Sequence, residues 1–224
     1  MAKRSQNTKT KKSRNKIKKT YDLLEGYFGD LGWWPAESDF EVIVGAVLTQ
    51  NTAWSNVTKA INELKGRDLL DPAKIERIDL ERLARAIRSA GYYRVKARRL
   101  KEISRFVMAE CGGKLSRLKR KDIRKLREKL LAVNGVGPET ADSILIYALG
   151  KPVFVVDAYT KRIFSRHGLT NEKASYEEVQ SLTHRYLPSD GKVYNQFHAL
   201  LVETGKRFCK KREGLCGGCP LKGL

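Results

Sequence analysis

The chain is short of acid, of methionine, of tryptophan and of long apolar runs. Its 25 Asp and Glu residues face 45 Lys and Arg, for a formal charge of +20. No apolar run reaches the roughly 20 residues that would span a bilayer, and no apolar stretch follows the basic amino terminus as a secretory leader requires. Those two absences set the expectation of an intracellular protein of the cytoplasm and nucleoid. With four cysteines and no secretory leader expected, a disulfide framework is not the expected organising principle. Alternation of period two is nearly missing. The one strand-like run, Val153 to Val156, is too short to found a sheet and reads as an extended connector.

What is present is a basic, helix-rich chain. A pI near 9.9 points to a polyanion. An anionic membrane surface follows the same charge logic, but no amphipathic basic helix supports it, so no membrane partner is expected. Residues 1–19 hold nine basic residues and no acidic one, which predicts a disordered basic arm able to add sequence-independent phosphate contacts. Ser38 with Glu41, and Ser175 with Glu178, have the spacing of capping boxes. Apolar residues at helical spacing follow each of them, and again after Asp79, Val95, Asp122 and Pro138. The expected fold class is all-α.

The stretch Leu130 to Ala141 carries the most information. One helix ends, the chain turns through Gly135-Val136-Gly137, and a second helix starts at Pro138. Amides at the start of that helix lack internal partners and lie at the positive end of its dipole, which makes an anion site suited to a DNA phosphate. Val136 is expected to plug inward between the two helices. A lone Gly-x-Gly would be an ordinary tight turn. Here Asp157 follows, twenty residues after Gly137.

Gly135-Val136-Gly137 followed by Val155-Val156-Asp157 resembles the helix-hairpin-helix, Gly/Pro-rich loop and Asp signature of the endonuclease III superfamily of DNA glycosylases. The likeness runs from about Tyr21 to the carboxyl end. Leu48-Thr49-Gln50-Asn51-Thr52 resembles the family loop whose Gln fills the gap left by an extruded base. Gly91-Tyr92-Tyr93-Arg94-Val95-Lys96-Ala97 resembles the loop that wedges into the duplex. The resemblance implies a two-lobe, monomeric enzyme acting on double-stranded DNA that contains a damaged base. Residues 38–150 would form a helical-barrel lobe ending in the hairpin, and residues 20–37 with 151–224 the second lobe. The cleft between them would hold the base, with Asp157 on one wall and the tryptophans opposite.

The resemblance also implies roles. Asp157 falls where the family places the carboxylate that stabilises the sugar cation; alone, an Asp before Ala158-Tyr159-Thr160 would be read as a helix cap. Endonuclease III carries a lysine two residues after the last hairpin glycine, whose amine forms a Schiff base and cleaves the strand. This chain has Glu139 there, which implies a glycosylase without lyase activity. Trp33, Trp34 and Trp54 are either core anchors or an aromatic clamp around a flipped base. With Glu139, they resemble the 3-methyladenine glycosylase branch, in which Trp34 and Trp54 match the stacking pair. Competing readings are an endonuclease III-type lyase acting on oxidised pyrimidines or mismatched bases, and a DNA-damage-binding protein without catalysis.

Cys209, Cys216 and Cys219 have the spacing C-x6-C-x2-C at the carboxyl end. The resemblance implies a 4Fe–4S cluster loop, whose fourth cysteine would fall one residue beyond Leu224; either that ligand lies there or the site lacks it. Zinc held by three thiolates and another ligand is the alternative. Cys111 reads as a buried small apolar residue, and His167, His184 and His198 show no ligand spacing.

Overall fold

The computed structural model describes residues 16–224. Among the described residues are eleven α-helices, with short 3-10 turns and one π turn between them. They are α1 (residues 16–28), α2 (Asp39–Leu48), α3 (Trp54–Gly66), α4 (Pro72–Arg77), α5 (Leu80–Ala86), α6 (Tyr93–Cys111), α7 (Ile123–Leu131), α8 (Pro138–Ser143), α9 (Ala158–Arg166), α10 (Tyr176–Tyr186) and α11 (Gly191–Arg207). Among the described residues there is no strand, only an isolated bridge between Cys209 and Gly214. The fold is all-α.

The chain divides into two compact units. One runs to Trp33 and resumes at Pro152–Leu224; the other is Trp34–Lys151. The division falls before Trp34, four residues ahead of the Ser38 cap. Trp34 goes with the second unit because its indole packs on Gly45 of α2, where an added Cβ would lie 3.2 Å from the ring. Residues 1–15 of the expected basic arm lie outside the described residues. Residues 16–19, counted with that arm, are instead helical. Ile17, Thr20 and Leu24 of α1 are buried on one face, and Lys16 Nζ donates to the carbonyl of His167 at 3.1 Å. One apolar residue among lysines was enough to continue the helical face.

In the Trp34–Lys151 unit α2 is almost wholly apolar and almost wholly buried, from Phe40 to Leu48. It is the central helix, packed by α3, α6 and α8. Its expected capping box is half formed. Ser38 accepts from the Glu41 amide, but the buried Glu41 carboxylate turns to the Glu37 amide and to Lys65 at 3.0 Å. A nearby ammonium outcompetes the return bond. The box at Ser175 and Glu178 is complete. The helix that starts at Pro138 changes to a π turn over Ile144–Ala148. Periodicity does not reveal such a one-residue widening.

In the other unit, Val153–Val156 is buried and extended without a strand partner. Side chains of α10 replace the missing ladder. The Phe154 amide donates to His184 Nε2 at 3.0 Å, Gln180 Nε2 donates to the Phe154 carbonyl at 2.7 Å, and the Val156 amide donates to the Tyr176 hydroxyl at 3.3 Å. Buried amides and carbonyls demand such partners, and these fix the segment that leads into Asp157. Helix α11 lies against α9 at Gly205, where a Cβ would meet Tyr159 Cδ1 at 2.2 Å.

The hairpin helices α7 and α8 are clamped by one ion pair. Asp142 is fully buried and receives Arg127 through Nε at 2.7 Å and Nη2 at 3.0 Å. Two parallel bonds of this kind fix orientation as well as distance. Arg127→Met strips the buried carboxylate of its guanidinium and is expected to cost about 3–5 kcal/mol in urea denaturation. The double variant Arg127→Met/Asp142→Leu is expected to recover part of that loss. If the two variants are equally unstable, the clamp is not the cause.

Candidate functional site

At the hairpin, Val136 is buried, as its place between two helices demands, and its amide donates to Val133 O at 3.0 Å. Gly135 has φ +84°, and a Cβ there would lie 2.4 Å from Arg99 Cγ. The position therefore requires glycine twice, for backbone conformation and for room. Gly137 is extended at φ −91° and ψ 178°, and nothing lies within 4 Å of its absent Cβ. As N-cap of α8 it supplies no side-chain acceptor. The first amides of α8 thus have no side-chain cap, and Pro138 at the first helical position removes the donor that would matter least. Glu139 is exposed in that first turn.

Two further loops join the hairpin in the same unit. Gln50, after α2, points inward. Its Nε2 donates to Gly135 O at 3.1 Å and Thr140 Oγ1 at 2.9 Å, and its Oε1 accepts from Arg99 Nη1. The second loop carries Tyr92 in the left-handed region, φ 45°, with 73% of the residue exposed. A bulky residue at positive φ is strained, and such strain persists only where neighbours enforce it. So Gln50 and the hairpin are in direct contact, and Tyr92 stands out into solvent.

The tryptophans separate. Trp34 stacks on Tyr147 with centroids 4.9 Å apart and planes at 30°, and meets Trp54 edge-on at 5.0 Å and 83°. All three rings are half-buried. Tyr147 comes from the π turn, and no motif in the sequence marked it. Trp33 belongs to the other unit. Asn195 Nδ2 donates to its carbonyl at 2.9 Å, Lys206 Nζ lies 5.4 Å from its ring centre, and His198 meets it edge-on at 6.2 Å.

Asp157 is N-cap of α9 and more than that. Oδ1 accepts the Thr160 amide at 2.7 Å, while Oδ2 lies 3.7 Å from Nε2 of His198 on α11. Its side chain is 12% exposed. The cap bond orients the carboxylate and leaves the second oxygen for other work. Spacing in sequence could not bring His198, forty-one residues later, to Asp157.

The three carboxy-terminal cysteines line one cavity of about 480 Å3 with Arg166, His167 and Lys222. Cys209 is buried, Cys219 half-buried and Cys216 exposed, all as free thiols. Arg166 Nη1 lies 3.2 Å from Cys209 Sγ, and Arg162 Nε donates to the Cys209 carbonyl at 2.8 Å. Burial pushes the Cys219 thiol up, and its neighbours Cys209 and Cys216 add to the rise. Among the described residues no three His, Cys, Asp or Glu side chains gather as metal ligands. Soft sulfur beside a guanidinium is the kind of donor an iron–sulfur group takes, and three cysteines are one short of the four that such a group needs.

The helical hairpin, its uncapped glycine-led helix and the half-buried carboxylate twenty residues on all fall within a segment that matches a base-excision family. Residues 44–189 match the helix-hairpin-helix GPD (HhH-GPD) superfamily of base excision DNA repair proteins. The chain belongs to this superfamily and is a DNA repair glycosylase of that class. It is 51% identical over 207 residues to a candidate DNA repair glycosylase of Methanocaldococcus jannaschii, covering 92% of this chain and 94% of that one. It superposes on an endonuclease III trapped as a covalent intermediate with DNA at TM-score 0.80 and 25% identity, covering 93% of each chain. It also superposes on the 3-methyladenine DNA glycosylase of H. pylori bound to 1,N6-ethenoadenine, at TM-score 0.71 and 31% identity, over 87% of this chain and 97% of that one. Among the described residues, no helix is long and apolar enough to cross a membrane.

His198 is enclosed, and burial holds its imidazole below the ordinary value of 6.5, with Asp157 opposing. The unfolded chain takes up a proton near 6.5 that the folded chain resists. Stability is therefore full above that pH and declines as pH falls toward the folded value. Between pH 6.5 and about pH 5 the melting temperature of the wild type is expected to fall more steeply than that of His198→Gln. Parallel slopes would show that His198 does not carry this dependence.

Proposed function

We propose that this glycosylase is monofunctional and hydrolyses the bond between deoxyribose and an alkylated purine such as 3-methyladenine in duplex DNA. The observation that carries the proposal is Glu139, a carboxylate where the resembling lyases carry their Schiff-base lysine. The half-buried set Trp34, Trp54 and Tyr147 supports the substrate class. N-alkylated purines are cationic, and electron-rich rings attract cations by about 0.5–2 kcal/mol. The 31% identity to a 3-methyladenine glycosylase points the same way.

The hairpin amides hold a phosphate without reading sequence, Tyr92 enters the stack, and Gln50 stands by the space the base leaves. As the C1′–N bond breaks, its electron pair goes to the base nitrogen and neutralises the purine. Positive charge then develops on the sugar. The Asp157 carboxylate, oriented by the Thr160 amide, stabilises that charge and aligns a water whose oxygen bonds to C1′ and whose proton passes to solvent. A base that leaves neutral needs little acid, so the site requires no strong proton donor. In this reading Trp34 and Trp54, which meet edge-on, form the stacking pair, and Trp33 packs beside His198. Because those two rings touch edge-on, a base between them requires them to part. Cys209, Cys216 and Cys219 would supply thiolates to a 4Fe–4S group, which would fix the basic loop Lys210-Lys211-Arg212 and take no part in hydrolysis.

The Asp157→Asn enzyme is expected to bind duplex DNA nearly as the wild type does and to lose about 3–4 kcal/mol of transition-state stabilisation in single-turnover base release. Near-normal release would remove Asp157 from the mechanism. Borohydride is expected to trap no covalent adduct between wild-type protein and DNA, and strands are expected to break only after alkali. The likeness to the trapped endonuclease III makes this the decisive control, since efficient trapping would assign a lyase with another amine. Trp54→Ala is expected to lose about 1–3 kcal/mol on 3-methyladenine DNA. Binding to abasic DNA, which has no base to stack, should hold. Equal losses on both DNAs with a lowered melting temperature would make Trp54 a core anchor.

A further inference from the structure

Lys96 is one of the most buried side chains of this strongly basic protein, at 1% exposure. Its ammonium donates at 2.8 Å to the Leu48 carbonyl, to Thr52 Oγ1 and to the Ala90 carbonyl. Thr52 Oγ1 in turn donates to Ala90 O at 2.5 Å, closing a triangle. An ammonium has three donors, and all three are spent inside the protein. Burial, with Arg99 adding to it, lowers this group to about 8, so it is charged at neutral pH. Lys96 is therefore no phosphate ligand, although it lies in a loop-helix segment expected to meet DNA.

Its acceptors join two segments, Leu48–Thr52 and Ala90–Tyr92. Arg99, three residues on along α6, extends the link to a third. Its guanidinium bonds Gln50 Oε1, its stem fills the space beside Gly135, and Gln50 spans to Gly135 O and Thr140 Oγ1. One helix thus reaches the Gln50 loop, the strained Tyr92 loop and the hairpin.

We propose that Lys96 and Arg99 are positioning residues that brace these three loops into one unit, so that the duplex is opened by a preset frame and not by loops that order one at a time. The inference rests on the proposed engagement of these loops with DNA. Its energetic sense is pre-organisation: the cost of ordering each loop is met in the free protein. A lysine kept only for stability would leave opening and binding coupled to the folded fraction alone.

The test uses two duplexes and needs no base release, so it stands apart from the substrate assignment. In the first, 2-aminopurine is paired and stacked beside a tetrahydrofuran abasic site; in the second, it is already looped out as a bulge. Lys96→Met and Thr52→Val are compared with wild type by stopped-flow fluorescence, by equilibrium binding and by thermal melting. Thr52→Ser, which keeps the hydroxyl, is the conservative rescue. The brace predicts that Lys96→Met and Thr52→Val open the paired duplex slower by on the order of tenfold to a hundredfold, as loss of one charge-assisted bond implies. Thr52→Ser should open it at the wild-type rate, and every variant should bind the bulged duplex with wild-type affinity. Folded variants that open the paired duplex at the wild-type rate would overturn the proposal. So would variants that lose the bulged duplex to the same extent. If Lys96→Met fails to fold, Thr52→Val, which leaves both carbonyl contacts of the ammonium, decides the matter by the same two readings.

Discussion

The ammonium of Lys96 sits inside the Trp34–Lys151 unit, and the oxygens that satisfy it come from the end of α2, from the loop after it and from the turn before α6. A charge so enclosed costs several kcal/mol unless its donors are matched. The chain must therefore bring these two segments, Leu48–Thr52 and Ala90–Tyr92, to one point, and the Gln50 and Tyr92 loops take their positions from it. The same requirement recurs through the fold. Asp142, buried in the hairpin, is met by Arg127 across it. Val153–Val156 is tolerable without a sheet only because His184, Gln180 and Tyr176 answer its backbone. With no strand among the described residues, these buried polar groups are matched by side chains. Those matches set where the loops and Asp157 stand.

The chemistry proposed for the site follows from where charge is and is not needed. A cationic purine already has a good leaving group, so aromatic faces and one oriented carboxylate suffice. A lyase would need an amine at the hairpin, and Glu139 puts an anion there. At the amino end of α8 that carboxylate is favoured by the helix dipole, which would raise no comparable welcome for a lysine.

Much of this was legible in the sequence because the signals are local. Helix starts at Asp79, Asp122 and Ser175, the Pro138 start and the buried Val136 all follow from neighbours within a turn or two. So does the all-α class. What escaped reading depends on distance or on single-residue geometry. His198 meets Asp157 only because α11 packs beside α9. Tyr147 meets Trp34 only because the helix widens by a π turn. Trp33 and Trp34, adjacent in sequence, serve different units. Residues 16–19 belong to α1 because Ile17 has an apolar face to join. The half-formed box at Ser38 failed because Lys65, a helix away, claims the Glu41 carboxylate.

As proposed, this glycosylase frees an alkylated purine and leaves the strand whole. The most direct measurement incubates the purified protein with duplexes that each carry one lesion: 3-methyladenine, 7-methylguanine, an oxidised pyrimidine or a mismatched base. Released bases and strand breaks are read separately. The expected result is release of an alkylated purine, 3-methyladenine first, from strands that remain continuous until alkali is added. Release of the oxidised pyrimidine or mismatched base alone, or strand cleavage without alkali, would contradict it.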